Sequence, residues 1–540
     1  MEERYQITVL QNNKQVTTEC MDGEKLLEAM LRQGIRHRCD CGGQGTCGKC
    51  KIQVLAGELK ESMADMRILS KAERSDGFRL ACRAFPKENI TISLPVYEEA
   101  DMAVLTAGRE TTAPSGKRMS TSGYYIGIDL GTTTLAVHLM EGRSGEILAA
   151  SSLVNPQRRY GADVISRMKA SSEGKADDLK KLIRASLRTL ILRVLQEVPP
   201  EGNGVEQIAI AGNTTMIHLL MGYSCDGLGV YPFTPVTVGP IASCFQELFA
   251  EEDRKEPDAS GNDESERKLL EELGRVPVSI LPGISVFVGG DIVAGLGICD
   301  FDRTEEVCLL IDLGTNGELA IGNKEKLYVS STAAGPAFEG GNISIGLGSI
   351  PGAISRVQLG GTKPGIETIG SGKPVGICGT GVVELCSELL RTGGMDETGL
   401  LSEEYFQEGY PLYQDSQGKL NFTQKDVREL QLAKAAIRAG IELLLRNYGV
   451  SWEQVEKVYL AGGFGFVLDI PKAVHIGLLP EELKDKIITV GNSSLAGAVK
   501  YAADPEFRRR LAGIIENARE VHLSNEEDFQ ELYIGNMNFD

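Results

Sequence analysis

Tyr125-Ile126-Gly127-Ile128-Asp129-Leu130-Gly131-Thr132-Thr133-Thr134, continued by Leu135-Ala136-Val137-His138-Leu139, is an apolar run, a turn of small residues and a second apolar run. Such a pattern predicts a buried β-hairpin carrying one carboxylate, Asp129, just before its turn. The construction returns at Val307-Cys308-Leu309-Leu310-Ile311-Asp312-Leu313-Gly314-Thr315-Asn316-Gly317-Glu318-Leu319-Ala320-Ile321-Gly322. Two hairpins with Asp-Leu-Gly-Thr at the same place indicate a duplicated unit. Turn amides and hydroxyls can cradle phosphate oxygens, while the carboxylate addresses a hydrated Mg²⁺. Asp-x-Gly-Thr alone is common in ordinary turns, so the repetition carries the signal.

Three further stretches follow the same logic. Val458-Tyr459-Leu460-Ala461-Gly462-Gly463-Phe464-Gly465 is a buried strand running into glycines, where backbone can lie flat against a nucleobase and ribose. Gly376-Ile377-Cys378-Gly379-Thr380-Gly381 opens one helix, Val382 to Leu390, and Gly491-Asn492-Ser493-Ser494-Leu495-Ala496-Gly497-Ala498 opens another. Their small residues suit close helix crossing at a hinge between lobes. In this order the pieces resemble the phosphate-1, phosphate-2, connecting and adenosine elements of the actin/hexokinase/Hsp70 ATPase fold, with its duplicated ribonuclease-H-like lobes. Gly212-Asn213-Thr214-Thr215 follows a buried strand and precedes a helix, so its amides either face the phosphates or simply cap the helix.

The N-terminal region carries different chemistry. Cys41-Gly42-Gly43-Gln44-Gly45-Thr46-Cys47-Gly48-Lys49-Cys50 is answered by Cys82 in Leu80-Ala81-Cys82-Arg83-Ala84. Four thiolates can hold a two-iron, two-sulfide cluster, and the glycines let amides converge on it. Zinc also takes four thiolates, but usually as two Cys-x-x-Cys pairs, and only Cys47 and Cys50 form one. The Cys-x5-Cys-x2-Cys spacing resembles adrenodoxin-like ferredoxins. Cys39 competes as first ligand; Cys41 is preferred because Gly42-Gly43 follows it directly. Residues 5–10 and 15–20 read as a hairpin, Asp22 can cap a helix carrying Leu26, Leu27, Met30 and Leu31, and strands are expected at 51–55 and 90–94. That order matches a β-grasp ferredoxin.

Together, ferredoxin and ATPase resemble the ATP-dependent reductive activators of corrinoid proteins. Asn155-Pro156-Gln157-Arg158-Arg159-Tyr160-Gly161-Ala162-Asp163-Val164, Ala211-Gly212-Asn213-Thr214-Thr215-Met216 and Ala334-Gly335-Pro336-Ala337-Phe338-Glu339-Gly340 carry the likeness through the chain. The resemblance implies a multi-domain α/β protein that reduces Co(II) to Co(I) in a separate corrinoid protein, fed by an external low-potential donor. Candidate partners are the corrinoid proteins of O-demethylases, methylamine methyltransferases and the acetyl-CoA pathway. It implies a 2Fe-2S cluster on Cys41, Cys47, Cys50 and Cys82, and Mg²⁺ oriented by Asp129 and Asp312. ATP would lie on Gly131, Thr132, Thr133, Gly314, Thr315, Asn316, Gly462, Gly463 and Phe464. The expected organisation is a ferredoxin domain at 1–98, a linker at 99–122, a middle domain at 123–206 and an ATPase region at 207–540. Lobe II is expected over about 305–500.

Composition bounds the rest. At 540 residues the chain has room for several domains, and a net charge of −19 disfavours nucleic acid and anionic lipid. The start, Met1-Glu2-Glu3-Arg4-Tyr5, has no apolar signal region. The most apolar window, Val276 to Ile298, holds Pro282, five glycines and Asp291, so no membrane span is expected and the chain reads as cytoplasmic. A homodimer is compatible with the sequence. His37, His138, His218, His475 and His522 are isolated, so the chain is not expected to carry a corrinoid itself. Arg158, Arg159 and Arg167 read as a solvated helical face, with phosphate or partner contact as the alternative, and 250–275 as an acidic surface excursion. Two other function classes fit the motifs: a small-molecule kinase with a regulatory ferredoxin domain, and an ATP-binding redox sensor.

Overall fold

The computed structural model describes residues 3–11, 14–33, 35, 37, 43, 45, 48–94, 123–200, 204–249, 263–361, 363–415, 418–464 and 467–539. One compact unit takes Met1–Glu99 with Pro156–Leu179, and the other takes Ala100–Asn155 with Lys180–Asp540. The expected 99–122 linker lies wholly outside the described residues.

In the first unit, β1 (Arg4–Gln11) and β2 (Lys14–Met21) form the expected antiparallel hairpin. β3 (Lys51–Ala56), β4 (Phe78–Leu80) and β5 (Ile90–Ser93) complete a sheet ordered β2-β1-β5-β3-β4, with β5 parallel to β1. Alternation along β1 turns Ile7 and Val9 inward, where Leu26 and Met30 of the Leu26–Arg32 helix meet Ile52, Leu80 and Ile92. This is the β-grasp arrangement. Asp22 does not cap the helix, contrary to expectation. The N-cap is Lys25, without a side-chain cap, and the Asp22 carboxylate instead accepts from Lys87 Nζ and Tyr5 Oη.

The second unit contains the duplication. β6 (Tyr124–Leu130), β7 (Thr134–Glu141) and β8 (Ile147–Val154) form an antiparallel meander, and β9 (Val205–Gly212) runs parallel to β6. β10 (Ile241–Cys244) and β11 (Pro277–Ile280) finish a six-stranded sheet ordered β10-β11-β9-β6-β7-β8. The second lobe repeats this plan. β12 (Cys308–Leu313), β13 (Gly317–Gly322) and β14 (Leu327–Thr332) form the meander. Between meander and sheet edge the lobe carries a three-stranded sheet of β15 (Ala353–Gln358), β16 (Gly365–Thr368) and β17 (Gly376–Ile377), and a hairpin of β18 (Tyr410–Asp415) and β19 (Gly418–Phe422). β20 (Lys457–Ala461) then runs parallel to β12, with β21 (Ile487–Gly491) beside it and β22 (Ala518–Glu520) on the far edge beyond β14. Asp129 and Asp312 therefore sit at equivalent ends of equivalent strands, because each meander was built from the same apolar-strand, small-turn pattern.

Two helices cross tightly against the first sheet. In the Gly290–Ile298 and Ser493–Ala503 helices, a Cβ on Gly497 would lie 2.5 Å from Ala294 Cβ and 2.9 Å from its backbone. The small residues of 491–498 thus do serve a close crossing. Their partner, however, is the 290–298 helix and not the Gly379–Thr392 helix, which packs on β15 and the Ile470–His475 helix. Gly497→Val should lower stability by about 1–3 kcal/mol, as overpacking does. A chemical-denaturation midpoint equal to that of the unaltered chain would contradict this contact.

Candidate functional site

Each repeated turn is closed by the amide of its glycine, the first reaching one residue further along the chain than the second. Gly131 N donates to Thr134 O at 3.0 Å and Gly314 N to Asn316 O at 3.0 Å, leaving the following hydroxyls at the tips. At Gly131 a Cβ would come within 2.5 Å of Thr134 O, so the tightness of the first turn requires glycine. Asn155, fully buried, holds that turn from behind by donating Nδ2 to Gly131 O at 2.9 Å. The two tips meet at one carboxylate. Thr133 Oγ1 donates to Glu339 Oε2 at 2.7 Å and Thr315 Oγ1 to the same oxygen at 2.6 Å, with the hydroxyls 3.4 Å apart. Thr132 Oγ1 accepts from Asn213 Nδ2 at 3.0 Å, while Asn213 Oδ1 caps the Thr214–Met221 helix through Met216 N. The helix-cap reading of 212–215 therefore holds, and the cap residue also ties this segment to the first hairpin.

Four carboxylates converge behind these turns. Asp129 accepts from Asn492 Nδ2 and Ser494 Oγ, both at 2.8 Å. Its pKa is raised by burial, which those two hydrogen bonds oppose. Asp291, in the first turn of the Gly290–Ile298 helix, is pushed up to about 7 by burial and by the charge of Asp129. Asp312 is likewise pushed up to about 7, by burial and then by Asp291, Asp129 and Glu339. Glu318, buried on β13, rises well above its ordinary value through burial and the charges of Asp291 and Asp312. Carboxylates that oppose one another's ionisation make a surrounding that a divalent cation would relieve, though among the described residues no three His, Cys, Asp or Glu side chains are grouped so as to hold a metal ion directly.

The third glycine segment abuts this group. Asp312 pairs in register with Ala461, and a Cβ on Gly462 would lie 2.9 Å from Asp312 Oδ1. Gly462 also has φ +92°, so no other residue fits there without strain. Gly463 has open space beside it, and Phe464 is held by Phe338, with ring centroids 5.2 Å apart. Gly465 lies outside the described residues. Asp129, Gly131, Thr132, Thr133, Asp312, Gly314, Thr315, Gly462 and Phe464 are thus tied into one neighbourhood by named contacts, and Asn316 joins it through a hydrogen bond to Glu318.

In the first unit, Cys50 Sγ lies 3.3 Å from Cys82 Sγ, both buried. That distance is far beyond a covalent S–S bond and suits two ligands on one iron. Gly43, Gly45 and Gly48 have φ of +82°, +74° and +69°, and a Cβ on Gly43 would face Cys82 Cβ at 3.9 Å. The described part of the loop therefore fits an iron–sulfur cluster. Cys41 and Cys47, and the competitor Cys39, lie outside the described residues. The solvated-face reading fails for Arg167, which is fully buried and donates Nε to Gly161 O at 2.9 Å.

Sequence reasoning passed over Asp291, Glu318, Glu339, Asn155, Asn492 and Ser494 as site residues. Signals existed for some. Asp291 was the sole charge in an apolar window that was not a membrane span, and Glu318 stood in an otherwise apolar repeat of the first hairpin's second strand. Nothing local points from Glu339 to Thr133.

Comparison with known proteins extends these findings. Residues 9–87 match the family model described as a 2Fe-2S iron-sulfur cluster binding domain. Residues 124–255 match the RACo middle region, and 306–540 the C-terminal domain of RACo, the ASKHA domain. The chain is 32% identical over 439 residues to the corrinoid activation enzyme RamQ of Eubacterium limosum, covering 77% of this chain and 70% of that one. It is 26% identical over 449 residues to the Co(II) methylated amine-specific corrinoid protein reductase of Methanosarcina barkeri, covering 77% of each. A solved reductive activator for corrinoid,iron-sulfur protein matches with a TM-score of 0.67 at 26% identity, over 99% of this chain and 98% of that one. The fold is a 2Fe-2S ferredoxin domain joined to an actin/hexokinase/Hsp70-type ATPase core, as the motif order implied.

Proposed function

Because the chain belongs to the ATP-dependent reductive activators of corrinoid proteins, we propose that it returns a partner protein's corrinoid from Co(II) to Co(I) by one electron. The observation that carries this reading is full-length likeness to a reductive activator in a chain holding both a thiol loop and paired hairpin turns.

Cys41, Cys47, Cys50 and Cys82 would hold the 2Fe-2S cluster, which when bound supplies one-electron carriage. Thr132, Thr133 and Thr315 would donate to phosphate oxygens, with Gly131, Gly314 and Asn316 shaping the turns. Asp129 and Asp312 would orient Mg²⁺ through its water shell; Asp291 and Glu318 add charge to the same group. Gly462, Gly463 and Phe464 would offer backbone and ring to the nucleoside. The electron comes from an external low-potential donor. Each ~59 mV by which that donor falls short costs about tenfold in equilibrium, which nucleotide binding offsets by favouring one arrangement of the lobes. The working setting is the cytoplasm, and no described helix is long and apolar enough to cross a membrane. A homodimer is compatible with this scheme.

The test is stopped-flow absorbance of Co(I), using chemically reduced protein and Co(II) corrinoid proteins from O-demethylase, methylamine methyltransferase and acetyl-CoA-pathway systems. ATP should raise the rate or extent with at least one of them. Label passing from the γ-phosphate to a small metabolite, with no effect of ATP on Co(I), would select the kinase reading.

The ligand assignment has its own check. Purified anaerobically, the protein should carry about two irons per chain. Cys47→Ser should abolish the two-iron spectrum, while Cys39→Ser should leave it. Loss of the cluster in Cys39→Ser with retention in Cys41→Ser would reassign the first ligand.

A further inference from the structure

We propose that Glu339 is a built-in competitor for the terminal phosphoryl group of a nucleoside triphosphate, and that its displacement carries the nucleotide's identity into the second lobe. The proposal rests on the reading that the two hairpin turns bind ATP phosphates.

A threonine hydroxyl has a single hydrogen to donate. Thr133 and Thr315 come from the two duplicated turns, and both give that hydrogen to Glu339 Oε2, at 2.7 and 2.6 Å. A phosphoryl oxygen reaching the same pair of hydroxyls needs the same two hydrogens. Carboxylate and phosphate are both anions, so they cannot share the donors side by side without mutual repulsion. One must leave, and the carboxylate is carried by a side chain with rotatable bonds of its own.

The backbone of Glu339 belongs to the Pro336–Glu339 turn. It is bounded by Gly335 at φ +78° and Gly340 at φ +72°, conformations that glycine adopts readily and other residues do not. The turn's other contacts lead to the rest of the proposed nucleotide site. The Phe338 ring lies against Phe464, beside the Gly462-Gly463 segment. The Phe338 carbonyl is so close to the start of the Gly379–Thr392 helix that a Cβ on Gly379 would lie 1.7 Å from it. A shift of Glu339 therefore moves a turn wedged between the nucleoside segment and a helix of the second lobe. A diphosphate, lacking the terminal group, would leave Glu339 on the threonines; a triphosphate would not.

The test is isothermal titration of the full-length, cluster-loaded protein with Mg·ATP and Mg·ADP. Glu339→Ala should bind ATP about tenfold or more tightly than the unaltered chain, while ADP affinity changes by less than about twofold, so the ATP/ADP ratio rises. Glu339→Gln, which keeps an acceptor oxygen but loses the charge, should fall between the two. Hydrogen exchange at residues 335–341 should quicken with ATP and not with ADP in the unaltered protein, and this difference should vanish in Glu339→Ala. Unchanged or weakened ATP binding in Glu339→Ala, with Thr133→Val and Thr315→Val both weakening it, overturns the competitor role and leaves the nucleotide reading intact. ATP binding indifferent to Thr133→Val and Thr315→Val overturns both. Parallel loss of ATP and ADP affinity with a lowered melting temperature would make Glu339 a purely structural tie and overturn the proposal.

Discussion

At pH 8 and without Mg²⁺, Asp312→Asn should make the protein more resistant to heat, and ATP should no longer accelerate Co(I) formation by it. The first effect follows from the burial of Asp312, added to by the charges of Asp291, Asp129 and Glu339, which together push its pKa from 3.8 up to about 7. A carboxyl with a raised folded-state pKa holds a proton that the unfolded chain has released, between about pH 3.8 and pH 7. Unfolding is therefore increasingly favoured as pH rises through that window, and the cost is complete above it. Asparagine removes this dependence. At about 1.4 kcal/mol per pH unit, the stability gap between variant and unaltered chain should widen by about 2 kcal/mol from pH 5.5 to pH 7. Mg²⁺ should narrow the gap by neutralising the same carboxylates. Calorimetry at the two pH values with and without Mg²⁺ checks the sign; midpoints that track each other throughout would contradict it. The second effect shares its cause, because charges that destabilise the fold are the ones proposed to orient the cation.

Cys82→Ser should bring Co(I) formation below detection with or without ATP. Cys82 is fully buried with its sulfur 3.3 Å from Cys50, and a serine oxygen is neither soft nor acidic enough to replace a thiolate. The nucleotide residues belong to the other compact unit, so ATP affinity in this variant should stay within about twofold of the original. Asp129→Ala should do the reverse. Asn492 and Ser494 would lose their acceptor and ATP its effect, while the two-iron spectrum stays unchanged. Iron content, the visible spectrum and nucleotide titration on the two variants make the comparison complete. ATP-stimulated Co(I) formation by Cys82→Ser would mean that electrons bypass the thiol loop.

The fold was legible because its signals are local and repeated. Apolar strands flanking Asp-Leu-Gly-Thr could hardly be anything but hairpins, and both appeared with Asp129 and Asp312 at strand ends. The cluster pair Cys50 and Cys82 was legible for a different reason, since few structures use thiols at that spacing. Helix pairing was not legible. Gly379-Thr380-Gly381 and Gly290 through Gly297 are both glycine-rich, and nothing in either shows which one Gly497 will meet. The capping role given to Asp22 failed because Lys87 and Tyr5, distant in sequence, compete for its carboxylate. Glu339 was invisible because its partners come from two separate turns, and only the tertiary structure brings Thr133 and Thr315 to one oxygen. Arg167 read as surface because a charged residue on a short helix usually is; its guanidinium is instead absorbed by the Gly161 carbonyl.

The bonds from Asn492 and Ser494 to Asp129 have a consequence for the order in which the molecule is made. A ribosome delivers β6, β7 and β9 early, together with the Gly290–Ile298 helix, but the Ser493–Ala503 helix that covers them emerges about 200 residues later. At about 5–20 residues per second this leaves the first lobe uncovered for roughly 10–40 s. During that interval Gly127, whose missing side chain makes room for Val499, lacks the residue that packs on it. The ferredoxin sheet, by contrast, is complete in sequence at Ser93. Iron–sulfur assembly can therefore begin on the nascent chain while the nucleotide site still lacks its last two hydrogen-bond donors.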